Sequence, residues 1–169
     1  MQFQKRENRS SGSKFLKIET DKPAIPVILR GEPSLFQSHF DNATKRSAEC
    51  TGDGCSSCKG GSPSKDRFRI NAIVREGEAY LAKIFEGNGF TYDYLASLVN
   101  DGWDLEKTVL NISKTGQGTQ SKVMITPTPK VLPPETLNLI SKVPLIPLTK
   151  DEHKSYESDP GFDPDNIPF

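Results

Sequence analysis

The sequence predicts a mainly β fold with one central helix. Residues 67–75 alternate between polar and apolar side chains with one exception, Ile73, and such alternation is typical of a half-buried strand. The chain has 13 glycines and 13 prolines among its 169 residues, which favours short elements joined by turns. The elements follow the order extended region, strand, strand, helix, strand, strand. This order fits a five-stranded OB-like barrel with a bent first strand, one inserted segment and disordered termini.

Each element carries its own signal. Extended runs at 14–19 and 25–30 form the bent first strand, and the turn at 76–78 joins strands 67–75 and 79–86 into a hairpin. The remaining elements are a helix at 91–100 with Thr91 as its N-cap, strands at about 107–113 and 121–126, and a short helix at 135–142 opened by Pro134.

Composition divides the chain into four segments. Residues 1–13 form a flexible basic arm, and 14–130 form the OB-like domain. Its zinc insert, at about 34–66, contains all three cysteines and has no periodicity, so it needs its own organiser. Residues 131–150 are a Pro-rich linker or docking segment, and 151–169 are a disordered acidic tail.

The formal net charge of zero hides an asymmetry along the chain. Residues 151–169 hold six acids and one base, a net charge of −5, whereas residues 1–150 hold 21 bases and 16 acids, a net charge of +5. The split indicates nucleic-acid contact by the body and a separate role for the tail. The alternative is a solvated surface with a solubilising tail.

No run of residues approaches the length of a membrane span, and the N-terminus has no apolar secretory signal. We therefore expect a cytoplasmic protein with no membrane partner. In that compartment, three cysteines close in sequence are more often metal ligands than disulfide partners.

The strongest chemical motif is Cys50-x4-Cys55-x2-Cys58, preceded by His39. Three cysteines and one histidine complete a tetrahedral structural zinc site, and metal binding then orders a segment with few apolar residues. Three alternatives stay open: adventitious cysteines, a redox pair at Cys55 and Cys58, or Asp53 in place of His39. A catalytic zinc is disfavoured because four ligands would close the site.

A basic strand face predicts nucleic-acid binding. In strand 67–75 the arginines share one face and the apolar side chains share the other. Cations for the DNA backbone and flat rings for the bases are what sequence-tolerant single-strand binders need. The alternative is a solvated face whose aromatic residues, including Phe36, Phe40 and Trp103, pack in the core. The predicted DNA-binding residues are Phe15, Lys17, Arg67, Arg69, Arg75, Lys83 and Phe85.

The chain ends with an acidic run followed by Ile-Pro-Phe and a free carboxylate. Solubility does not require those apolar residues, whereas a docking peptide does. The predicted partner-binding residues are Asp163, Asp165, Ile167, Pro168 and Phe169.

Three features resemble known single-stranded DNA-binding proteins. The Ile-Pro-Phe ending is similar to the C-terminal tip of the bacterial proteins, although Asn166 stands where that family usually has aspartate. The His39, Cys50, Cys55 and Cys58 set resembles, in type and order, the zinc ligands inserted into the OB fold of the T-even bacteriophage proteins, which space their cysteines more widely. Residues 112–119 and 123–127, within the range 67–127, look like phage-encoded single-strand-binding proteins.

The resemblances imply a phage replication or recombination protein in the host cytoplasm. It would bind single-stranded DNA with little sequence preference, recruit partner proteins through its tail and self-associate on DNA. The rivals are a zinc-ribbon transcription or RNA-binding factor and a structural protein. We expect no enzymatic activity, because the sequence has no nucleophile–base set and no phosphate-binding glycine loop.

Overall fold

The computed structural model describes residues 13–43 and 46–148. The strands are β1 (Ile25–Asp41), β2 (Arg46–Glu49), β3 (Ser64–Glu76), β4 (Ala79–Asn88), β5 (Thr108–Thr115) and β6 (Lys122–Val131). The helices are α1 (Ser56–Lys59), α2 (Gly89–Asn100) and α3 (Pro134–Ser141), with short 3-10 turns at Gly52–Gly54 and Gly118–Gln120. The predicted mainly β class and the helix between two hairpins are confirmed.

The strands form one antiparallel sheet in the order β4-β3-β1-β5-β6, with β2 paired to the far end of β1. The long strand β1 pairs with β3, β5 and β2 in turn, and its register shifts between Arg30 and Ser34. Gly31 adopts a φ of +75° within this bulge, a conformation that suits glycine. The predicted bent first strand at 14–19 and 25–30 is therefore only partly confirmed: β1 begins at Ile25 and is disrupted by the bulge after Arg30, and within 14–19 only Phe15 forms an isolated bridge, to Ile84.

The prediction of a barrel is not met, because β4 and β6 do not pair within the described ranges. The outer edge of β4 is instead used by the N-terminal segment. The N–H of Leu16 donates to the carbonyl of Ile84 at 2.8 Å, and the N–H of Ile84 donates to the carbonyl of Lys14 at 2.7 Å. A strand edge satisfied in this way has no backbone groups left at that position for a closing strand.

One hydrophobic core lies inside the curve of the sheet. Strand β3 contributes Phe68, Ile70, Ala72 and Val74 to it, which is the face predicted from the alternation. Leu95 and Leu98 of α2 cover one side of this core. The other buried members come from the remaining long strands: Val27, Leu29, Phe85, Leu110, Ile112 and Ile125.

Helix α2 begins two residues earlier than predicted. Its N-cap is Asn88, whose side-chain oxygen accepts a hydrogen bond from the N–H of Thr91 at 3.0 Å. The prediction of Thr91 as N-cap is thus wrong, because Asn88 keeps an extended backbone from β4 and is itself a strong capping residue. Among the helices of the described ranges, none is long and apolar enough to cross a membrane.

A C-terminal strap, which we define as α3 and residues 142–148, covers part of the opposite face of the sheet. Ile140 is buried with Ile28 and Ile73 in a second, smaller core. Arg30 donates from Nη1 to the carbonyl oxygens of Ile140 at 2.6 Å and Val143 at 3.0 Å. Most of the segment interpreted as a linker or docking segment therefore packs against the sheet.

The buried side chain of Asn71 holds the end of the strap. Its Nδ2 donates to the carbonyl of Ile146 at 3.0 Å, and its Oδ1 accepts from the N–H of Ile146 at 2.8 Å. We expect Asn71→Ala to lower the free energy of unfolding by about 1–3 kcal/mol, because both backbone groups of Ile146 lose their partner. Urea unfolding and hydrogen exchange at the Ile146 amide measure this. If the Ile146 amide exchanged at the same rate in Asn71→Ala as in the exposed control Asn100→Ala, the prediction would be contradicted.

Candidate functional site

One histidine and three cysteine side chains meet at the C-terminal end of β1. His39 lies on β1, and Cys50 directly follows β2. Cys55 is the N-cap of the short helix α1, and Cys58 lies within that helix. Their ligand atoms all lie within 4.8 Å of one another. Cys58 Sγ is 3.6 Å from Cys50 Sγ and 3.3 Å from His39 Nε2. The four predicted ligands are therefore brought together as a candidate metal centre.

Local backbone geometry explains how distant residues reach one point. The hairpin of β1 and β2 pairs His39 with Ala48, and the N–H of Cys50 then donates to the carbonyl of Gln37 at 2.7 Å. Gly52 takes a φ of +81°, which allows the tight turn in which the N–H of Cys55 donates to the Gly52 carbonyl at 2.9 Å. Cys55 and Cys58 then share one turn of α1.

Hydrogen bonds shift the pKa values of the three cysteine thiols in different directions. Backbone N–H groups of Cys58 and Thr51 lower the pKa of Cys55 to about 5. The Cys50 side chain raises the pKa of Cys58 to about 11. A backbone N–H at Gly52, and then His39, lower the pKa of Cys50, while the side-chain hydrogen bond with Cys50 raises the pKa of His39. The centre thus favours thiolates at Cys50 and Cys55 before any ion binds.

These pKa shifts predict that metal binding releases protons. Without metal at neutral pH, Cys58 keeps its proton because its pKa is about 11, and the raised pKa of His39 favours the imidazolium. A metal ion requires the thiolate and the neutral imidazole, so at least one proton must leave. We expect the apparent metal affinity to rise about tenfold per pH unit for each proton released. Calorimetry in buffers of different ionisation enthalpy measures the number of protons released per metal ion bound. A value of zero would contradict this prediction.

Arg69 links the metal centre to the sheet. It donates from Nη1 to Glu49, next to the candidate ligand Cys50, at 3.2 Å and from Nε to Glu86 on β4 at 3.0 Å. Its guanidinium carbon lies 4.1 Å from the ring centroid of Phe36 and 6.0 Å from that of Phe15. Only 14% of the Arg69 side chain is exposed. Arg69 is therefore a stacked, ion-paired residue at this end of the sheet.

Arg67 and several aromatic residues join Arg69 on the same face. Strand register places Phe36 beside Arg67 and Ser38 beside Lys65. Arg67 Nη2 donates to Glu86 at 2.8 Å. Phe15 and Phe40 are 42% and 47% exposed, respectively. We call this group the aromatic–arginine face and define it by Phe15, Phe36, Phe40, Lys65, Arg67 and Arg69.

Sequence reasoning missed Phe36, Phe40 and Lys65 as members of this face. A signal was present, because Ser34, Phe36, Ser38 and Phe40 stand at every second position. That alternation lies in a stretch rich in polar residues, which was interpreted as the aperiodic start of a zinc insert. In fact β1 runs through it to Asp41.

Two predicted members of the DNA-binding set lie elsewhere in β4. Lys83 pairs with Ala72 and Phe85 with Ile70, so both point to the core side of the sheet. Phe85 is 1% exposed and packs edge-on against Phe68 at 5.7 Å between ring centroids. This corrects the predicted positions of both Lys83 and Phe85, because the pairing of β3 with β4 places residues 83 and 85, rather than 82 and 84, on the core side of the sheet.

The remaining predicted DNA-binding residues are dispersed. Lys17 is exposed and lies 3.5 Å from Glu19, in the N-terminal segment. Arg75 lies six residues from Arg69 along β3, about 20 Å away in an extended strand, and its Nε donates to the carbonyl of Gly77. The five predicted partner-binding residues, Asp163, Asp165, Ile167, Pro168 and Phe169, lie outside the described residues.

Comparisons of the chain with protein-family models, with curated proteins and with solved structures find no match. The functional interpretation therefore depends on the metal centre and on the aromatic–arginine face.

Proposed function

We propose that this chain binds single-stranded DNA on the aromatic–arginine face, with little sequence preference, and that its metal centre holds a structural zinc ion. The observation that carries the proposal is the mixture of rings and cations on one sheet face. Phe15, Phe36 and Phe40 share it with Lys65, Arg67 and Arg69. Rings offer every base a stacking surface, and cations attract the phosphates.

The strand order supports an OB-like interpretation. Strands β1, β3, β4, β5 and β6 have the neighbours expected of a five-stranded OB barrel that is open between β4 and β6, and β2 belongs to the metal-binding insert. The second and third strands of an OB fold bind oligonucleotides. The equivalent strands in this interpretation are β3 and β4, and β3 carries Arg67 and Arg69.

Zinc is the ion that best fits the donor set. Bonds of about 2.3 Å to sulfur and 2.0–2.1 Å to nitrogen give tetrahedron edges of about 3.8 Å between sulfurs and about 3.6 Å between sulfur and nitrogen. The corresponding separations of 3.6 Å and 3.3 Å differ from these by only a few tenths of an ångström. Three thiolates and one imidazole leave no coordination position for a reacting water, so the ion's role is structural.

The acidic tail supplies the second half of the proposed function. Residues 151–169 carry a net charge of −5 and end in Ile-Pro-Phe, which suits recruitment of replication or recombination proteins. A phage-encoded protein acting in the host cytoplasm, with self-association on DNA, remains the context we propose.

Phe40 gives the sharpest test of the face, because it is half-exposed and makes little contribution to the core. We expect Phe40→Ala to weaken single-strand binding about 5- to 150-fold, since one stacked base is worth about 1–3 kcal/mol. The loss should be similar for all strand sequences. Met124→Ala, which removes an equally exposed side chain from β6, is the matched control.

Salt dependence measures the electrostatic part of the same model. The net charge of +5 on residues 1–150 allows about five phosphate contacts, which gives a log–log slope of roughly −3 to −4 on single strands. Fluorescence anisotropy at several salt concentrations provides this slope. Salt-independent affinity, or unchanged affinity for Phe40→Ala, would contradict the proposal. A preference for duplex DNA or RNA would favour a zinc-ribbon transcription or RNA-binding factor instead.

A further inference from the structure

A cavity of about 410 Å³ opens beside the aromatic–arginine face. We infer that it receives one unstacked base of the bound strand and selects guanine over thymine by hydrogen bonds to the base edge. The inference depends on the proposed function and deepens it, because it adds a specific subsite to a face that otherwise tolerates any sequence. We call the cavity the base pocket; the residues that matter here are Phe36, Gln37, Asp66, Arg67, Tyr92 and Asp93.

The position of the base pocket suits a base that leaves the stack. The pocket lies where β1, near Phe36, and β3, near Arg67, meet the first turn of α2. It shares these two residues with the aromatic–arginine face. A strand lying across that face would therefore pass the rim of the pocket. The volume falls within the range of about 300–1,000 Å³ that is typical of small-ligand sites.

The walls of the base pocket are suited to a flat ring. Tyr92 contributes aromatic surface and is itself supported by Phe68, with 5.6 Å between ring centroids. Gly89 lines the pocket without a side chain. A Cβ built there would have its nearest contact with Asp66 Cβ at 3.7 Å, so alanine at this position would take up pocket space without a clash.

Hydrogen-bond acceptors dominate the polar lining. Gln37 fixes Asp66, because its Nε2 donates to Asp66 Oδ1 at 3.2 Å while its Oε1 accepts from Ser64 Oγ at 3.3 Å. In the part of the chain that the structure describes, Asp66 Oδ2 and the Asp93 carboxylate have no hydrogen-bond partner. Two carboxylates disfavour a phosphate in the pocket, so the phosphates belong outside, near Lys65 and Arg69.

The pattern of donors and acceptors favours guanine. Its N1–H and N2–H groups match the two oxygens of one carboxylate. Thymine would place two carbonyl oxygens beside the carboxylates. A single well-formed bidentate contact corresponds to at least about fivefold discrimination.

The test uses the full-length, zinc-loaded protein and two mononucleotides. Amide resonances of Gly89 and Tyr92 are followed by NMR during titration with dGMP and, separately, dTMP. We expect dGMP to shift both amides and to bind at least about fivefold more tightly than dTMP. Asp66→Asn and Gly89→Ala should each reduce that preference to about twofold or less, whereas Met124→Ala should not change it. Equal binding of the two nucleotides, or no shift with dGMP, would overturn the inference.

Strand binding measured on the same samples separates the two proposals. Tight binding of oligonucleotides with and without guanine at equal affinity overturns the base pocket and leaves the proposed function standing. The opposite outcome is also possible: dGMP shifts the amide resonances, the shifts disappear in Gly89→Ala, and the protein has no affinity for a single strand at low salt. That outcome supports the base pocket and overturns the proposed function.

Discussion

Replacing Cys55 with serine is expected to remove the metal and to unfold the segment that the metal organises. Among residues 46–63, Cys55 is the one buried side chain, so this described stretch has no apolar core of its own. In the proposed zinc-bound protein, its order comes from the metal ligands and a few backbone hydrogen bonds, and metal-binding energy acts as folding energy. We expect metal affinity to fall at least about 100-fold.

Two measurements check this result and locate its effect. Metal content by mass spectrometry should fall from one ion per chain to none. Hydrogen exchange should accelerate at the amide of Cys50, which donates to Gln37, while amides of β5 and β6 keep their protection. Ser56→Ala in the same helix is the control. Stoichiometric metal in Cys55→Ser would show that His39, Cys50 and Cys58 bind the ion without it.

Replacing Phe68 with alanine is expected to cost about 3–5 kcal/mol of unfolding free energy, the largest stability effect of any single change that we predict. Phe68 is completely buried and packs against Phe85 and Tyr92. It therefore connects β3, β4 and α2, and its loss leaves a cavity among all three. Chemical denaturation monitored by fluorescence provides the measurement.

Gly87 supplies a matched partner for a double-mutant cycle. A Cβ on Gly87 would lie 2.4 Å from Cε1 of Phe68, so Gly87→Ala alone should destabilise the protein by about 1–3 kcal/mol through overpacking. In the Phe68→Ala background the new methyl group enters the cavity, and its cost should largely disappear. Strict additivity of the two changes would contradict the packing described here.

The parts of the fold that could be predicted from sequence are those with local signals. The alternation of 67–75 identified which side chains of β3 enter the core, because a strand repeats every two residues. The spacing of Cys50, Cys55 and Cys58 predicted a group that could hold a metal ion, because two cysteines separated by two residues share one turn. Both signals depend on neighbours in sequence.

The missed features depend on pairing between distant segments. Ion pairs of Arg69 with Glu49 and Glu86 join residues 20 and 17 positions apart, and no local pattern indicates them. The register between β3 and β4 decides the burial of Phe85, and sequence alternation alone leaves that register open. Docking of the strap involves two hydrogen bonds between Asn71 and Ile146, one donated by each residue, across 75 positions.

The ion pairs also change how the arginine row should be understood. Arg67 and Arg69 were predicted as a row of cations available to phosphates, yet both contact Glu86 in the absence of DNA. In our proposal, part of their charge is therefore already neutralised. Stacking on Phe15, Phe36 and Phe40 then has to contribute a larger share of the affinity than the charge of the chain suggests.

The most direct test of the central claim is a competition titration. A mixed-sequence single-stranded DNA is titrated against duplex DNA and single-stranded RNA of equal length at one salt concentration, with zinc measured on the same sample. The account predicts one zinc per chain and a preference for the single strand over the duplex of at least about tenfold. A preference for duplex or RNA, or no nucleic-acid affinity at low salt in a protein that contains zinc, would contradict it.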